Sequence, residues 1–388
     1  MSKILPLTGA YSAAEAMRQI NPDVVAAYPI TPQTPIVERF AQFVADGKVD
    51  TEMIRVESEH SAMSACVGAC AAGARVMTAT SSAGLALMWE ILGVASGLRL
   101  PIIMNVVNRA LSAPINIHCD HSDSMGARDL SWIQIYSENA QEVYEHNLLA
   151  LKLAERKDVL LPAMVCQDGF ITSHGVENVE IFPDETVRKF AGEYKPEKYL
   201  LNLKDPVTFG PLQLTDYYFE TKRQQEEAMK KAKAAFLEAG KELAKITGRE
   251  YGYFEAYETK DADVVLVVLN STAGTAKVVV DRMRAKGKKV GVLKIRLFRP
   301  FPYEEVANVL KHAKAVGVLD RSMSFGANAP VFSEVKNSLY ESDAKPKLQS
   351  YIFGLGGREI YEHQIERVFD ELLKGDVTKE KRYVGLRE

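Results

Sequence analysis

The stretch RVMTATSSAGLALMWEILGVASGLRLPIIMNVVN, residues 75–108, sets the architecture of the chain. Residues 75–80 predict a short strand, and residues 81–99 predict a helix with a polar, glycine-containing start. Residues 100–108 form an apolar run rich in branched side chains, which is typical of a strand buried on both faces. A strand, a helix and a second strand in succession predict a parallel pair joined by a crossover helix.

The same alternation continues on both sides of this stretch. Residues 23–30 predict a buried strand, residues 34–47 an amphipathic helix, and residues 58–74 a helix made of small side chains. Downstream, residues 139–157 predict a helix and residues 158–169 another strand. Strands that alternate with helices predict a parallel sheet covered by helices on both faces.

An interruption in the alternation of predicted strands and helices divides the chain. Residues 175–215 are rich in Pro, Tyr and Lys and predict a long connector on the surface. Apolar side chains at spacings of three and four between residues 217 and 247 predict an amphipathic helix. The alternation resumes at Asp263, with residues 288–298 as one strand. We predict an α/β fold of two doubly wound, mostly parallel sheet domains: residues 1–230 with the connector, a bridging helix and linker at 231–255, and residues 256–388.

The composition excludes several functional classes. The 388 residues carry a formal net charge of -3, which provides no basic surface for nucleic acid. No run of about 18 apolar residues is present, and the N-terminal apolar stretch is too short for a signal peptide, so we predict a cytoplasmic protein without a membrane span. The four cysteines, at 66, 70, 119 and 166, show no zinc or iron–sulfur spacing. Any cluster that the function needs would lie on another chain.

Three segments that follow predicted strands contain unusual side chains, and ligands of parallel sheets bind beyond the carboxyl ends of the strands. In the first, YPITPQTP, three prolines separate a strand from a helix. In the second, Glu57 and Glu59 flank Ser58 at the start of the small-residue helix. The helix dipole alone explains many such glutamates. Alternatively, small side chains behind the carboxylate would let a flat ligand approach, and partial desolvation would make its protonation adjustable.

The third segment begins with Arg109, at the end of the strand 100–108. His118, Asp120, His121 and Asp123 follow it, with further charges at 128 and 129. A solvated loop with local ion pairs is one interpretation. The other is an anion-binding lid in which Arg109 grips a carboxylate at two points.

These segments are similar to a known family. AAYPITPQTP (26–35), residues 56–88 and NRALSAPINIHCDHSD (108–123) resemble, in order and spacing, the α subunit of multi-subunit pyruvate:ferredoxin oxidoreductase, a 2-oxoacid:ferredoxin oxidoreductase. RLFRPFP (296–302) and GLGGRE (354–359) also look like that family. The resemblance implies a thiamine diphosphate (TPP) pyrimidine-binding domain over residues 1–230 and a transketolase C-terminal-like domain over 256–388.

The resemblance also implies roles for single residues. Glu59 would hydrogen-bond N1′ of the TPP aminopyrimidine, and a carboxyl group there promotes the proton exchange that activates the cofactor. Thr31 and Arg109 would bind the carboxylate and carbonyl end of the substrate, with Tyr28 and Pro29 as cofactor contacts. One arginine with a neutral partner is suitable, because too strong a grip on the leaving carboxylate would oppose decarboxylation. The prolines would then fix Thr31 toward the substrate.

Other parts of the site are absent from the sequence. The chain has no Gly-Asp-Gly segment for a magnesium-bound diphosphate; the nearest match is QDG at residues 167–169. The resemblance implies that a β subunit holds Mg²⁺ and a [4Fe–4S] cluster, that γ and ferredoxin-like δ subunits complete the complex, and that CoA and an external ferredoxin are co-substrate and acceptor. The chain would be inactive alone.

The residues alone do not identify the substrate. Thr31 with Arg109 favours a plain monocarboxylate, so we predict oxidative decarboxylation of pyruvate to acetyl-CoA and CO2. A branched-chain or aryl 2-oxoacid, such as 2-oxoisovalerate or phenylglyoxylate, is the alternative, and a non-catalytic scaffold subunit is a distant one. Subunit stoichiometry and physiological direction are also open.

Overall fold

A computed structural model describes residues 2–340, 342–343 and 345–387. The strands are β1 (Lys3–Thr8), β2 (Val24–Ala27), β3 (Glu52–Arg55), β4 (Val76–Thr80), β5 (Ile103–Asn108), β6 (Ile133–Ser137), β7 (Ala163–Asp168), β8 (Val176–Ile181), β9 (Phe254–Tyr257), β10 (Val264–Val268), β11 (Val290–Ile295), β12 (Leu297–Arg299), β13 (Ala315–Asp320), β14 (Lys347–Phe353) and β15 (Arg382–Val384).

The helices are α1 (Gly9–Ile20), α2 (Thr34–Ala45), α3 (Glu59–Ala72), α4 (Ser82–Leu87), α5 (Trp89–Gly97), α6 (Ser122–Gly126), α7 (Ala140–Ala154), α8 (Asp184–Ala191), α9 (Tyr218–Thr247), α10 (Thr272–Ala285), α11 (Tyr303–Leu310), α12 (Pro330–Tyr340) and α13 (Glu362–Leu373). None of these helices, over the described residues, combines the length and apolarity that a membrane crossing requires.

Two parallel-dominated sheets confirm the predicted α/β class. The first has seven strands in the order β12-β6-β7-β5-β4-β2-β3, and only its edge strand β12 is antiparallel to its neighbour. The second has six strands in the order β15-β14-β13-β10-β11-β9, with β9 as the antiparallel edge. Strands β7, β5, β4, β2 and β3 are therefore consecutive parallel neighbours in the first sheet.

Three apolar cores cover these sheets. The first core joins one face of the seven-stranded sheet to α1, α2, α7 and α9. The second is continuous across the two sheets, because α3 and α5 share it with α11 and α12. The third packs α10 and α13 on the remaining face of the six-stranded sheet. Since one core spans both sheets, a loop from one sheet can rest on a loop of the other.

The chain changes sheets within the predicted strand 288–298, so the prediction of one strand is wrong. β11 ends at Ile295 in the six-stranded sheet, and β12 begins at Leu297 in the other sheet. The carbonyl oxygen of Arg296 between them accepts a hydrogen bond from Tyr136 N of β6, at 2.8 Å. A single residue thus links the two sheets, and an uninterrupted apolar run gives no local sign of it.

The predicted connector 175–215 is wrong over its first part. β8 pairs antiparallel with β1, and α8 follows it. The remainder, residues 192–217, forms neither helix nor strand and exposes several leucines. The helix predicted over 217–247 is confirmed as α9, whose Ala232, Phe236 and Leu243 are buried in the first core. The domain limits at residues 230 and 255 remain a prediction.

Candidate active site

The site loops leave the carboxyl ends of β2, β3, β4, β5 and β7. Because these strands are parallel, all five loops emerge at one edge of the seven-stranded sheet. The predicted segments therefore meet there: the proline-rich loop after β2, Glu59 after β3, and Arg109 directly after β5.

The loop after β2 is braced as well as proline-rich. Gln33 N donates to Ile30 O at 2.8 Å, and the buried Gln33 side chain accepts from Ile30 N at 3.3 Å. Pro32 lies against Gly169, where a Cβ would approach the proline Cγ to 2.9 Å. Gly169 thus leaves room for the loop. Tyr28 and Pro29 are exposed at the end of β2, at the mouth of this loop.

The Arg109 side chain contacts the main chain of Thr31. Arg109 is buried, and its Nη1 donates to the carbonyl oxygen of Thr31 at 2.8 Å. Its Nε donates to the carbonyl oxygen of Asn116 at 3.0 Å. A guanidinium has five N–H donors, so one Nη1 hydrogen and both Nη2 hydrogens, which have no partner among the described residues, remain for an anion. The Thr31 side chain is exposed, on the same loop.

Asp123 organises the backbone around Arg109. Its Oδ2 accepts from Arg109 N at 2.9 Å and from Ser82 N at 3.0 Å, and its Oδ1 accepts from Asn108 Nδ2 at 2.8 Å. Burial raises the pKa of Asp123 to about 6, although these hydrogen bonds favour the ionised form. One carboxylate therefore fixes the starts of both the Arg109 loop and α4. The interpretation of this segment as a solvated loop is wrong for Asp123 and for His121, which are both buried.

Glu59 is the first residue of α3 and is buried. Ser58 caps the helix by accepting from Ser61 N at 3.2 Å, which orients this first turn. Gly84 of α4 lies over the carboxylate: a Cβ there would be 2.6 Å from both Glu59 Oε1 and Thr80 Oγ1. Thr80 Oγ1 is buried without a hydrogen-bond partner among the described residues. Gly84 therefore lets α4 pack directly on a buried carboxylate and an unpartnered hydroxyl, and a carboxylate held in this way suits the N1′ position of a TPP aminopyrimidine.

A second polar cluster lies at the same edge, between the two sheets. It centres on Asp168, the last residue of β7, whose partners are Cys119, His121, Asn270, Ser271 and Arg321. Burial opposes ionisation of Asp168, but the positive charge of Arg321 and the hydrogen bond from His121 hold its pKa well below the usual value. This cluster ties the loops of one sheet to those of the other.

The sequence patterns do not identify Asp168 or Gly84 as site residues. In the sequence, Asp168 stands out only as part of an incomplete diphosphate motif. Its position at the end of a central parallel strand is the available signal. Gly84 had no comparable signal, since a glycine in a helix start gives no indication of what faces it.

Comparisons with known proteins identify the family of the chain. Residues 15–241 match the family described as pyruvate flavodoxin/ferredoxin oxidoreductase, thiamine diphosphate-binding, and residues 262–365 match pyruvate:ferredoxin oxidoreductase core domain II. The chain belongs to the pyruvate:ferredoxin oxidoreductase family. It is an α/β oxidoreductase subunit of that family, with a TPP-binding domain.

Curated relatives cover nearly the whole chain. Pyruvate synthase subunit PorA of Thermotoga maritima is 60% identical over 98% of this chain and 98% of its own length. PorA of Methanocaldococcus jannaschii is 49% identical over 100% and 99%. Ketoisovalerate oxidoreductase subunit VorA of Pyrococcus abyssi is 44% identical over 95% and 93%. Membership of the family is thus shown along the full chain.

Solved structures share the fold. 2-Oxoglutarate:ferredoxin oxidoreductase from Magnetococcus marinus superposes with a TM-score of 0.71 and 19% identity, over 95% of this chain and 65% of that longer chain. A split-gene transketolase superposes with a TM-score of 0.54 and 11% identity, over 95% and 99%. Both confirm the two-sheet α/β architecture.

Proposed function

We propose that this chain is the α subunit of a CoA-acylating pyruvate:ferredoxin oxidoreductase. With its partner subunits it converts pyruvate and CoA to acetyl-CoA and CO2, and passes the electrons to ferredoxin. The observation that carries the proposal is Arg109, a buried guanidinium fixed by two main-chain carbonyls with its outer hydrogens left for a carboxylate. The PorA relatives at 60% and 49% identity support pyruvate as the substrate.

Glu59 has the proton-transfer role. Bound TPP supplies a nucleophilic carbon and an electron sink for decarboxylation. The Glu59 carboxyl, which Gly84 lets pack against α4, would exchange a proton with N1′ of the aminopyrimidine ring. Tyr28 and Pro29, exposed at the end of β2, would contact the cofactor.

Arg109 and Thr31 orient the substrate. The guanidinium charge binds the carboxylate through its outer Nη1 and Nη2 hydrogens, and the Thr31 hydroxyl donates one neutral hydrogen bond. Because Nε is already occupied by Asn116 O, the arginine binds end-on rather than from its side. This geometry suits a small 2-oxoacid that must still release its carboxylate as CO2.

Partner subunits complete the site. A β subunit binds the diphosphate through Mg²⁺ and carries a [4Fe–4S] cluster, since this chain has neither motif. The exposed apolar side chains of Tyr28, Leu87, Trp89 and Val94, next to the TPP half-site, suit a surface covered by that subunit. A γ subunit, a ferredoxin-like δ subunit and an external ferredoxin follow in the electron path, in the cytoplasm.

A branched-chain 2-oxoacid is the second candidate substrate. VorA of Pyrococcus abyssi is 44% identical, and PorA of the same organism is 45% identical. Overall identity at this level therefore separates the two substrates poorly.

The test is anaerobic assay of the complex that contains this chain. CoA-dependent viologen reduction is measured with pyruvate, 2-oxoisovalerate, phenylglyoxylate and 2-oxoglutarate, with Glu59→Gln as a matched variant. We expect preference for pyruvate and a loss of about 10²–10⁴-fold in the variant, because glutamine keeps the shape but not the proton exchange. Preference for 2-oxoisovalerate would replace the substrate and keep the mechanism. No reduction by a complex with intact clusters and bound TPP would favour the scaffold hypothesis.

A further inference from the structure

A glycine-rich turn of the six-stranded sheet rests on the Arg109 loop, which we define as residues 109–119. The turn, residues 354–357, follows β14. Gly357 N donates to Cys119 O at 2.6 Å, and Gly356 N donates to Asp120 Oδ2 at 3.3 Å. Residues more than two hundred positions apart in the chain therefore make direct backbone contact.

Asn116 connects the turn to the guanidinium. Its Nδ2 donates to Gly356 O at 3.1 Å, and its Oδ1 accepts from His118 N at 2.7 Å. Its carbonyl oxygen accepts from Arg109 Nε at 3.0 Å. The side chain of Asn116 thus anchors the same residue whose main chain holds Arg109.

The glycines are required by the close approach. Gly356 and Gly357 have φ angles of +61° and +78°, which disfavour any side chain. A Cβ would lie 2.4 Å from Asn116 Nδ2 at the first position and 2.3 Å from His118 Cβ at the second. A substituted turn would have to retreat from the Arg109 loop.

Beyond its base the loop has few other contacts: Leu111 N donates to Ser122 Oγ at 3.0 Å, and the tip is exposed. Residues 112–115 are exposed, with Ile115 at 78% exposure. The loop is closed at its base by the hydrogen bond from Ala110 N to His118 O, at 3.0 Å. Near the exposed tip, the side-chain amide of Asn116 joins the turn to the residue whose carbonyl accepts from Arg109 Nε.

We propose that Asn116 and Gly356 are positioning residues for substrate binding: the second sheet sets the direction of the Arg109 guanidinium through the Asn116 amide. The inference rests on the proposed function of Arg109 and deepens it. Neither residue touches the reacting atoms. Displacement of the Asn116 carbonyl would release Nε, and the guanidinium would then sample directions that do not meet the carboxylate.

The experiment uses the assembled complex and steady-state kinetics with pyruvate and with CoA. Asn116→Asp keeps the size and the acceptor for His118 N, but places an oxygen where Nδ2 donates to Gly356 O. Gly356→Ala pushes the turn away. Gly287→Ala is the control, since Gly287 has a φ of +79° and a Cβ there meets nothing within 4 Å. Hydrogen–deuterium exchange of residues 110–118 provides a readout independent of activity.

We expect Asn116→Asp and Gly356→Ala to raise the KM for pyruvate about tenfold, the size of one lost hydrogen bond to a charged group. The KM for CoA and the TPP content should stay within about twofold of wild type, exchange in residues 110–118 should accelerate, and the control should match wild type. A purely structural role would change both KM values or the TPP content, and would overturn the inference.

The variant Arg109→Leu distinguishes failure of the positioning inference from failure of the proposed role of Arg109. If it raises the KM for pyruvate while Asn116→Asp and Gly356→Ala do not, the positioning inference is wrong and the role of Arg109 stands. If Arg109→Leu itself leaves the KM for pyruvate unchanged, the proposed role of Arg109 is wrong and the inference falls with it.

Discussion

Asp168 and Arg321 form a buried ion pair between the two sheets, with 3.9 Å from Oδ2 of the carboxylate to Nη1 of the guanidinium. Asp168 ends β7 of the seven-stranded sheet, and Arg321 follows β13 of the other. Oδ1 of the same carboxylate lies 2.7 Å from His121 Nε2. At the edge that carries the candidate site, a buried ion pair therefore joins the two sheets.

Removing one partner of this pair should be costly. We expect Arg321→Met to lower the free energy of unfolding by about 3–5 kcal/mol, because Asp168 loses the buried cation opposite its charge and keeps only its hydrogen-bond partners. The double variant Asp168→Asn/Arg321→Met should recover part of that loss. Urea-induced unfolding of wild type, both single variants and the double variant provides the measurement. Additive losses would mean that the two groups do not interact.

A methyl group at Gly84 should impair catalysis without unfolding the chain. The added Cβ would lie 2.6 Å from Glu59 Oε1, so the carboxylate has to move. A displacement of about 1 Å in a catalytic group can cost about 10²-fold, and we expect Gly84→Ala to lower kcat/KM by that order. Gly126→Ala in α6 is the control, because a Cβ there meets nothing within 4 Å. Equal activity of the two variants would contradict the assigned position of Glu59.

The Thr31 hydroxyl should make a modest contribution to kcat/KM for pyruvate. Thr31→Ala leaves the main-chain carbonyl that receives Arg109 Nη1, and removes only the exposed hydroxyl. Loss of one neutral hydrogen bond corresponds to about a two- to tenfold decrease in kcat/KM for pyruvate. Thr34→Ala, at the start of α2, is the matched change in the same segment and should be silent. Unchanged turnover in Thr31→Ala would show that Thr31 acts through its backbone alone.

Asp320 should make stability depend on pH. Its carboxylate accepts from Val331 N at 2.8 Å and Phe332 N at 3.0 Å at the start of α12. Burial nevertheless raises its pKa from 3.8 to about 7. Between these values the folded state binds the proton and the unfolded state does not, so this contribution to stability is lost as pH rises toward 7.

The check is Tm as a function of pH between about 4 and 7 for wild type and Asp320→Asn. The variant lacks the titrating group, so its Tm should fall less steeply than that of wild type over this range. The variant should also be less stable at low pH, because the asparagine Nδ2 group would face one of the two backbone N–H groups of α12 in place of a carboxyl oxygen. Parallel curves would contradict the raised pKa.

Much of the fold follows from local patterns. Buried runs such as residues 100–108 are strands because branched side chains suit a sheet covered on both faces, and the intervening helices make those strands parallel. Parallel strands end at one edge, so the segments with Glu59 and Arg109 could be predicted to meet before their contacts were known.

Other features depend on contacts between distant parts of the chain. β12 belongs to the first sheet because it pairs with β6, although the residues just before it belong to the second sheet. The Asp168–Arg321 pair and the Asn116–Gly356 hydrogen bond join residues far apart in sequence.

The amino-acid sequence determines which segments are strands and helices, and which edge carries the polar loops, because periodicity and strand direction are local properties. Only the tertiary structure decides that Arg109 is held from both sides and that Asp168 is balanced by Arg321. The burial of a charged group and the distance to its partner determine the free energy of each interaction. Both are fixed only when the two sheets pack together.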